Sequence, residues 1–428
     1  MMQITPETEA FWAAYCAATG HAGDYAVSLF GDSATLSEEL LALVFSGRKR
    51  ATGASVDLMR LTGEPVPQAG DHVVCVDFDN RPRCIWRTTQ VRIGPLSSVD
   101  EQFAFDEGEG DRTRADWLEG HSRYFQREAA DEGYVFSADM PVVFERFTLV
   151  WPPELADEPM ADGLRLLRGR YDRLCRLTPF SADPQWRFHW LSGVFCVTGP
   201  DPEPHGNTVL LPDVWTEAAA RQAIAAVKAH YGALGHGVEW KLHQHDRPAC
   251  LPDLLAEAGF TPQAGETLVI RDLTAAPPRP FALPDGVRLH ELTTEADFAA
   301  LRTVNTAVYG DPAQSDWLAG VLWQEKQHSP DHLRLFALSA GEEPVSVGWL
   351  RLPQGEGFAS LWGGSTRADW RGRGLYRWLV EHRAGLALAA GQTGLTIDCS
   401  PMSLPIALAN GFQELARITP WIWRPVVA

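Results

Sequence analysis

Two stretches of the chain carry candidate reactive or ligand-binding groups. The first is Arg371-Gly372-Arg373-Gly374-Leu375-Tyr376, at the start of a run in which Leu375, Trp378, Leu379 and His382 recur at helical spacing. Gly372 and Gly374 remove side chains where backbone N–H groups must approach a partner closely. A helix N-terminus leaves N–H groups unpaired and carries about half a positive charge, so it attracts phosphate. Arg371 and Arg373 add charge beside it. The stretch reads as a pyrophosphate cradle or as a strand-to-helix turn with solvated arginines. The second stretch is His243-Gln244-His245-Asp246, where alternate strand residues share a face and invite a metal. No third spaced ligand accompanies it, so it reads as strand-end polar residues beside a cleft, and no metal site is expected.

The first stretch sits in a definite order of elements. Phe358 to Trp362 is apolar enough for a strand; after the helix come Gly391, Gly394 and a short strand from Leu395 to Cys399. A short helix from Ser403 to Asn410 ends at Gly411-Phe412, and a last strand runs from Ile418 to Trp423. From about Asp285 onward this order resembles the GNAT acetyltransferase superfamily, whose acetyl-CoA loop reads Arg/Gln-x-x-Gly-x-Gly/Ala. Arg371, Gly372, Arg373, Gly374 and Leu375 match that loop, and Tyr376 departs from it.

The resemblance implies acetyl-CoA as co-substrate, its pyrophosphate held at Arg371 to Tyr376. A backbone N–H between Leu361 and Gly364, with Gly363 and Gly364 included, would polarise the thioester carbonyl. The tyrosine that often protonates the leaving thiolate in that family falls here at Ala407, so the usual acid is missing. Asp398 and Ser400, at the end of the strand before the last short helix, are the candidate catalytic groups, with a strand-end cap as the other reading for Asp398. Cys399 reads as a small packed group, since nothing nearby lowers its pKa.

The N-terminal part reads differently. Thr5-Pro6-Glu7 starts a helix, with Phe11, Trp12 and Tyr15 on its buried face. Ser37-Glu38-Glu39 caps a second helix with Leu40, Leu41, Val44 and Phe45 inward, ended by Gly47. Strand-like runs cover His72 to Phe78, Arg83 to Val91 and Phe144 to Trp151, with a helix from Ala115 to Glu132. Gly47-Arg48-Lys49-x-x-Thr52, Gly70-Asp71 and Phe103-Ala104-x-x-Glu107-Gly108-Glu109-Gly110, with Trp117, His121 and Phe125 at spacing four, together resemble the ASCH domain, a PUA-like barrel. Some small ASCH proteins are acetylcytidine amidohydrolases, which would assign catalysis to Lys49, Thr52 and Glu107; other members are proposed RNA binders or nucleases. A partly desolvated lysine can lose its proton and act as nucleophile or base, with the threonine orienting and the carboxylate shuttling protons. The alternative is a surface anion site beside a loop carboxylate.

Between these parts, Thr216 to Leu234 is helical, and Leu255-Ala256-Glu257-Ala258-Gly259-Phe260 lines up with Ala407-Leu408-Ala409-Asn410-Gly411-Phe412. The segment therefore repeats the end of the chain. Its helix starts at Leu211-Pro212-Asp213-Val214-Trp215-Thr216 with no glycine loop, like the degenerate first half of tandem GNAT proteins, and reads as scaffold and cleft wall. Trp151-Pro152-Pro153 to Gly163 and Ala275 to Pro280 read as joints. Domains are thus expected at 1–152, 163–274 and 285–428.

Across 428 residues, a net charge of −18 argues against sequence-independent binding of nucleic acid or acidic membrane by the whole surface. Seven scattered cysteines without a CxxC pair give neither a disulfide frame nor a structural zinc site. The N-terminus lacks an apolar core for a secretory signal, and no apolar run spans a membrane, so a cytoplasmic protein is expected. The expected fold class is α+β multidomain, a PUA-like β-barrel followed by two GNAT α/β domains. The expected function is acetyl-CoA-dependent N-acetyltransfer to a small amine, with RNA or a modified nucleoside as partner of the ASCH domain. The rivals are a non-catalytic acetyl-CoA sensor that binds RNA, and acetylcytidine amidohydrolase activity in the ASCH domain.

Overall fold

The structure, a computed structural model, describes residues 4–425 apart from Ala182, Pro280 and Gln354. Pro280, the last residue of the second expected joint, thus lies outside the described residues, as do the first three and last three of the chain. The chain forms two compact units, Met1–Gly169 and Arg170–Ala428.

The first unit runs α1 (Pro6–Thr19), β1 (Ala26–Leu29), α2 (Ala34–Phe45), β2 (Ala51–Ser55), α3 (Val56–Thr62), β3 (His72–Val76), β4 (Pro82–Pro95), α4 (Glu101–Glu107), α5 (Arg114–Glu132) and β5 (Pro141–Trp151). Its five strands form a curled half-barrel in the order β1-β3-β4-β5-β2. α1 starts where Thr5-Pro6 predicts: Thr5 Oγ1 accepts from the Thr8 N–H, and the Thr8 hydroxyl accepts from the Thr5 N–H. α2 corrects the reading of Ser37. Ser33 is the cap and Ser37 is buried inside the helix, because two serines one turn apart both precede the apolar run, and the earlier start adds a turn. The Trp151–Gly163 joint is folded onto its own unit. Asp157, mostly covered, accepts from Arg50 Nε and Nη2 at 2.7 Å each and from the Thr148 hydroxyl and the Leu149 N–H.

α6 (Asp162–Leu174) spans the division. The second unit continues β6 (Arg187–Leu191), β7 (Val194–Thr198), β8 (Asn207–Pro212), α7 (Glu217–Leu234), β9 (Val238–His243), α8 (Leu251–Glu257), β10 (Thr261–Pro262) and β11 (Glu266–Asp272). The repeat then follows as β12 (Val287–Glu291), α9 (Phe298–Tyr309), α10 (Pro312–His328), β13 (Leu333–Ala340), β14 (Glu343–Arg351), β15 (Ala359–Thr366), α11 (Leu375–Ala389), β16 (Gly394–Cys399), α12 (Leu404–Ala409) and β17 (Gln413–Trp423). Among the described residues, the twelve strands of this unit share one sheet, in the order β12-β13-β14-β15-β16-β11-β17-β9-β8-β7-β6, with β10 beside β17. The halves trade their last strands: β11 lies between β16 and β17, and β17 pairs with β9.

Among the described residues each half has one parallel junction, and it is short. β8 meets β9 only at Thr208↔Glu239 and Val209↔Trp240, and β15 meets β16 only at Ala359↔Leu395 and Ser360↔Thr396. Beyond these pairs the strands part and leave a wedge. Side-chain alternation sets the layers. Leu350, Leu361, Leu395 and Ile397 pack on Val380 and Ala384 of α11, while Val347 and Trp349 face Phe298 and Leu301 of α9. In the first half Val209 and Trp240 pack on Ile224 and Val227 of α7.

Candidate functional site

The wedge of the second half is shaped by glycines. The β14–β15 register steps from Val347↔Ser365 to Trp349↔Trp362, so Gly363 and Gly364 bulge opposite Gly348. A Cβ on Gly363, whose φ is +59°, would overlap the Trp349 ring; one on Gly364 would overlap the Tyr376 ring, with Cδ2 at 3.1 and Cζ at 3.5 Å. The hollow at Gly348 holds the Arg383 guanidinium. Its Nη1 donates to the Trp349 carbonyl at 2.8 Å and the Trp362 carbonyl at 3.2 Å, and its Nε to the Leu379 carbonyl. Burial pulls the pKa of Arg383 down to about 10, and among the described residues no carboxylate pairs with it.

At the mouth of the wedge α11 begins without a side-chain cap. Its N-cap is Gly374 at φ +80°, and the first intrahelical acceptor is the Gly374 carbonyl, taken by the Trp378 N–H at 2.9 Å. The N–H groups of the first turn therefore have no helical acceptor. A Cβ on Gly372 would meet open space, and one on Gly374 would meet only Phe281, at 3.8 Å. Arg371 and Arg373 are exposed: Arg371 Nε donates to the Thr366 carbonyl, and Arg373 donates to the Asp369 carbonyl with its guanidinium 4.3 Å from the Trp370 ring centre. Leu375 is buried under α11, and the half-buried Tyr376 side chain turns inward, so each offers the cradle only its backbone N–H. Open space, uncapped N–H groups and two flanking cations fit a pyrophosphate.

Asp398 is not a free carboxylate. It alternates with Ile397 and Cys399 of the α11 cluster and so points to the opposite face, where it is ion-paired with Lys241 of β9. Its negative charge, with that of Glu266, holds the Lys241 pKa up against burial. Lys241 Nζ also lies 5.6 Å from the ring centre of Trp362, which Arg351 approaches at 5.2 Å. Ser400 is exposed and serves the start of α12: its carbonyl accepts from the Ser403 and Leu404 N–H groups. Cys399 is buried, and burial lifts its thiol to about 11. Ala407 is buried in the same cluster. His243 is buried with Nε2 unpartnered, and His245 is bound to Asp172 at 2.9 Å.

The first half closes its own version of this corner. The Thr216 hydroxyl caps α7 by accepting from the Ala219 N–H, and Asp213 accepts from Trp215 Nε1 at 3.0 Å. Where β8 leaves β9, buried Arg176 donates to the Leu210 carbonyl at 2.8 Å and is held by Asp246 and Asp172.

In the first unit, Lys49 and Glu107 do come together. Lys49 Nζ is 3.2 Å from Glu107 and 2.6 Å from Glu109, and Glu107 also accepts from the Gly53 N–H and from Trp117 Nε1. His121 Nε2 stands 3.4 Å from Glu107 and stacks on Trp117. Burial alone would neutralise these groups. The opposite charges win: Lys49 and His121 are raised, and Glu107 is held down to about 2. The expectation of a lysine ready to lose its proton is corrected, because two carboxylates keep Lys49 an ammonium. Glu107, Glu109 and His121 could ligate a metal by distance, but the Lys49 ammonium already sits against both carboxylates. Thr52 lines the same cavity of about 710 Å³ as Lys49, Glu107, Trp117 and Glu145. Sequence reasoning missed Glu109, Lys241 and Arg383; only Glu109 had a local signal, two residues from Glu107.

The ASCH domain family model matches residues 26–151. A crystal structure from Enterococcus faecalis V583 is 36% identical, covering 33% of this chain and 86% of that one, with a TM-score of 0.31. An ASCH domain from Lactobacillus crispatus JV V101 is 28% identical over 36% of this chain and 99% of that one, with a TM-score of 0.33. The N-terminal unit belongs to the ASCH domain family. A tandem GNAT protein from the clavulanic acid biosynthesis pathway is 12% identical over 79% of this chain and 100% of that one, with a TM-score of 0.43. The regions that follow the ASCH domain are GNAT-like α/β; that assignment stands on their own strand order and wedges. No curated protein sequence matches the chain. Among the described residues no helix is long and apolar enough to cross a membrane.

Proposed function

We propose that the second unit is an acetyl-CoA-dependent N-acetyltransferase acting on a small amine. The observation that carries this is the uncapped, glycine-flanked N-terminus of α11 at the mouth of the β15–β16 wedge. The backbone N–H groups from Arg373 to Tyr376, with the charges of Arg371 and Arg373, would hold the pyrophosphate. The coenzyme supplies the acetyl group. The bulge at Gly363-Gly364 frees backbone donors for the carbonyl oxygen, and the Lys241–Asp398 pair beside Trp362 orients the amine. The test is release of free thiol from acetyl-CoA in the presence of tyramine, tryptamine or spermidine. Amine-dependent thiol release is expected; coenzyme binding without any release would leave a sensor.

The ASCH unit, in the same reading, binds a nucleoside-sized ligand, since 710 Å³ lies within the usual range for small-molecule sites. With Lys49 held as an ammonium, amide hydrolysis there would use it to polarise a carbonyl, and the more open Glu109 to take a proton from water. Hydrolysis of acetylcytidine that is lost in Lys49→Ala and weakened in Thr52→Val is the expected result. No hydrolysis by the intact protein would leave binding alone.

A further inference from the structure

We propose that the Tyr376 hydroxyl is the acid that protonates the departing thiolate, an inference that rests on the transferase reading above. Amine attack on a thioester expels a sulfur anion, which needs a proton at the wedge. The last short helix offers none, because Ala407 is buried and ends in a methyl group. Cys399, on β16, is buried and faces the α11 cluster.

Tyr376 is placed for the task by three features. Gly364 on β15 has no side chain, and the Tyr376 ring fills the room that leaves. The ring packs against the cluster that contains Leu361, Cys399 and Ala407, so it lies on the α11 face of the sheet, under the Gly363-Gly364 bulge of β15. It is only half-buried, so a bound molecule could reach it. Asp398 and Trp362 face the other side of the sheet, so the phenol and the Lys241–Asp398 pair lie on opposite faces.

The neighbouring charge fits as well. Burial lifts the Tyr376 pKa, which keeps the phenol protonated at neutral pH, while the Arg383 cation pulls it back. Arg383 has no carboxylate partner among the described residues, so its charge is available to a transient tyrosinate. The step balances. The amine nitrogen bonds to the acetyl carbon as the carbon–sulfur bond breaks. The sulfur takes the phenol proton, and the proton shed by the nitrogen returns to the tyrosinate through water.

The experiment compares the full-length protein with Tyr376→Phe, which keeps the ring, and with Tyr309→Phe. Tyr309 is the neighbouring hydroxyl, bonded to Ser365 at 3.1 Å. In Tyr376→Phe, kcat should fall at least tenfold and the alkaline limb of the kcat profile should disappear. KM for acetyl-CoA and the calorimetric Kd for CoA should stay within about twofold. Tyr309→Phe should match the wild type. Unchanged kcat in Tyr376→Phe, or the loss appearing in Tyr309→Phe instead, would overturn the acid and leave the transferase standing. A CoA Kd that worsens in step with kcat would assign Tyr376 to packing and overturn it too. A wild-type protein that releases no thiol with any of the three amines would remove transferase and acid together.

Discussion

The two wedges of the second unit share a plan and differ in who occupies them. In each, a parallel strand pair separates after two residues, a helix starts at the mouth, and a buried arginine binds a carbonyl at the parting. In the first half the arginine is Arg176, neutralised by Asp172 and Asp246, and the helix is capped by Thr216. In the second half Arg383 has no acid partner among the described residues, and α11 starts at a bare glycine. The comparison separates what the fold needs from what a ligand would need. A sheet of this kind tolerates a sealed wedge, so an unsealed one leaves the first-turn N–H groups of α11 without a side-chain cap and Arg383 without a carboxylate among the described residues, a cost that a bound anion offsets.

The largest test of that contrast is Gly374→Glu. A side chain at φ +80° is strained, and a carboxylate would stand where phosphate oxygens should. CoA affinity should drop at least a hundredfold by calorimetry. Asp213→Asn, at the sealed wedge, should leave both affinity and a stoichiometry of one CoA per chain unchanged. Two CoA per chain, or equal affinity in Gly374→Glu, would show that the two corners do not differ in this way.

Next in size is the removal of the two arginines. Arg176→Met strands the Asp246 carboxylate, leaves Asp172 with His245 alone, and should cost about 3–5 kcal/mol in denaturant unfolding of the second unit. Arg383→Met deprives carbonyls of a donor but also removes an unpaired buried cation, so about 1–2 kcal/mol is expected. Equal costs would mean that Arg383 has a counter-charge after all.

Much of this contrast was legible in the sequence, and its reasons show where reading stops. The bare start of α11 and the Asp213–Thr216 start of α7 are local patterns, visible as glycine against Asp and Thr. The repeat Leu255–Phe260 against Ala407–Phe412 falls on α8 and α12 and the turns that follow them. What stayed hidden is non-local. Lys241 and Asp398 lie 157 residues apart and meet only because the halves trade strands. Arg383 looks like a solvated helix residue until Gly348 is seen to make room for it. Tyr376 was plain as a departure from the loop pattern, but its inward turn depends on Gly364, which lies on another element.

Acid should expose the sealed half by a smaller margin. Burial, then the charge of Arg176, holds the His243 pKa well below its ordinary value, with Asp172 opposing and His245 and Lys241 adding to the depression. The unfolded chain therefore binds a proton near pH 6.5 that the folded chain refuses, and stability is lost as pH falls below that value. The melting temperature of the second unit should drop by a few degrees more between pH 7 and 5 than in His243→Gln. The same slope in both proteins would take His243 out of the account.

Thr216→Ala should do least, and it asks what one cap contributes to the closed corner. The hydroxyl accepts from the Ala219 N–H at 3.2 Å, and its loss frees one donor at the start of α7. N-cap losses of this kind cost about 1 kcal/mol, which for a unit of this size lowers the melting temperature by about 2–4 °C. If sealing rests on more than the cap, Asp213 still stands beside Trp215 at the bare α7 start, and its charge repels phosphate. CoA should then bind Thr216→Ala with wild-type affinity and raise its melting temperature by the same increment. A second, weaker CoA appearing in this variant would mean that one hydroxyl alone keeps the first half closed.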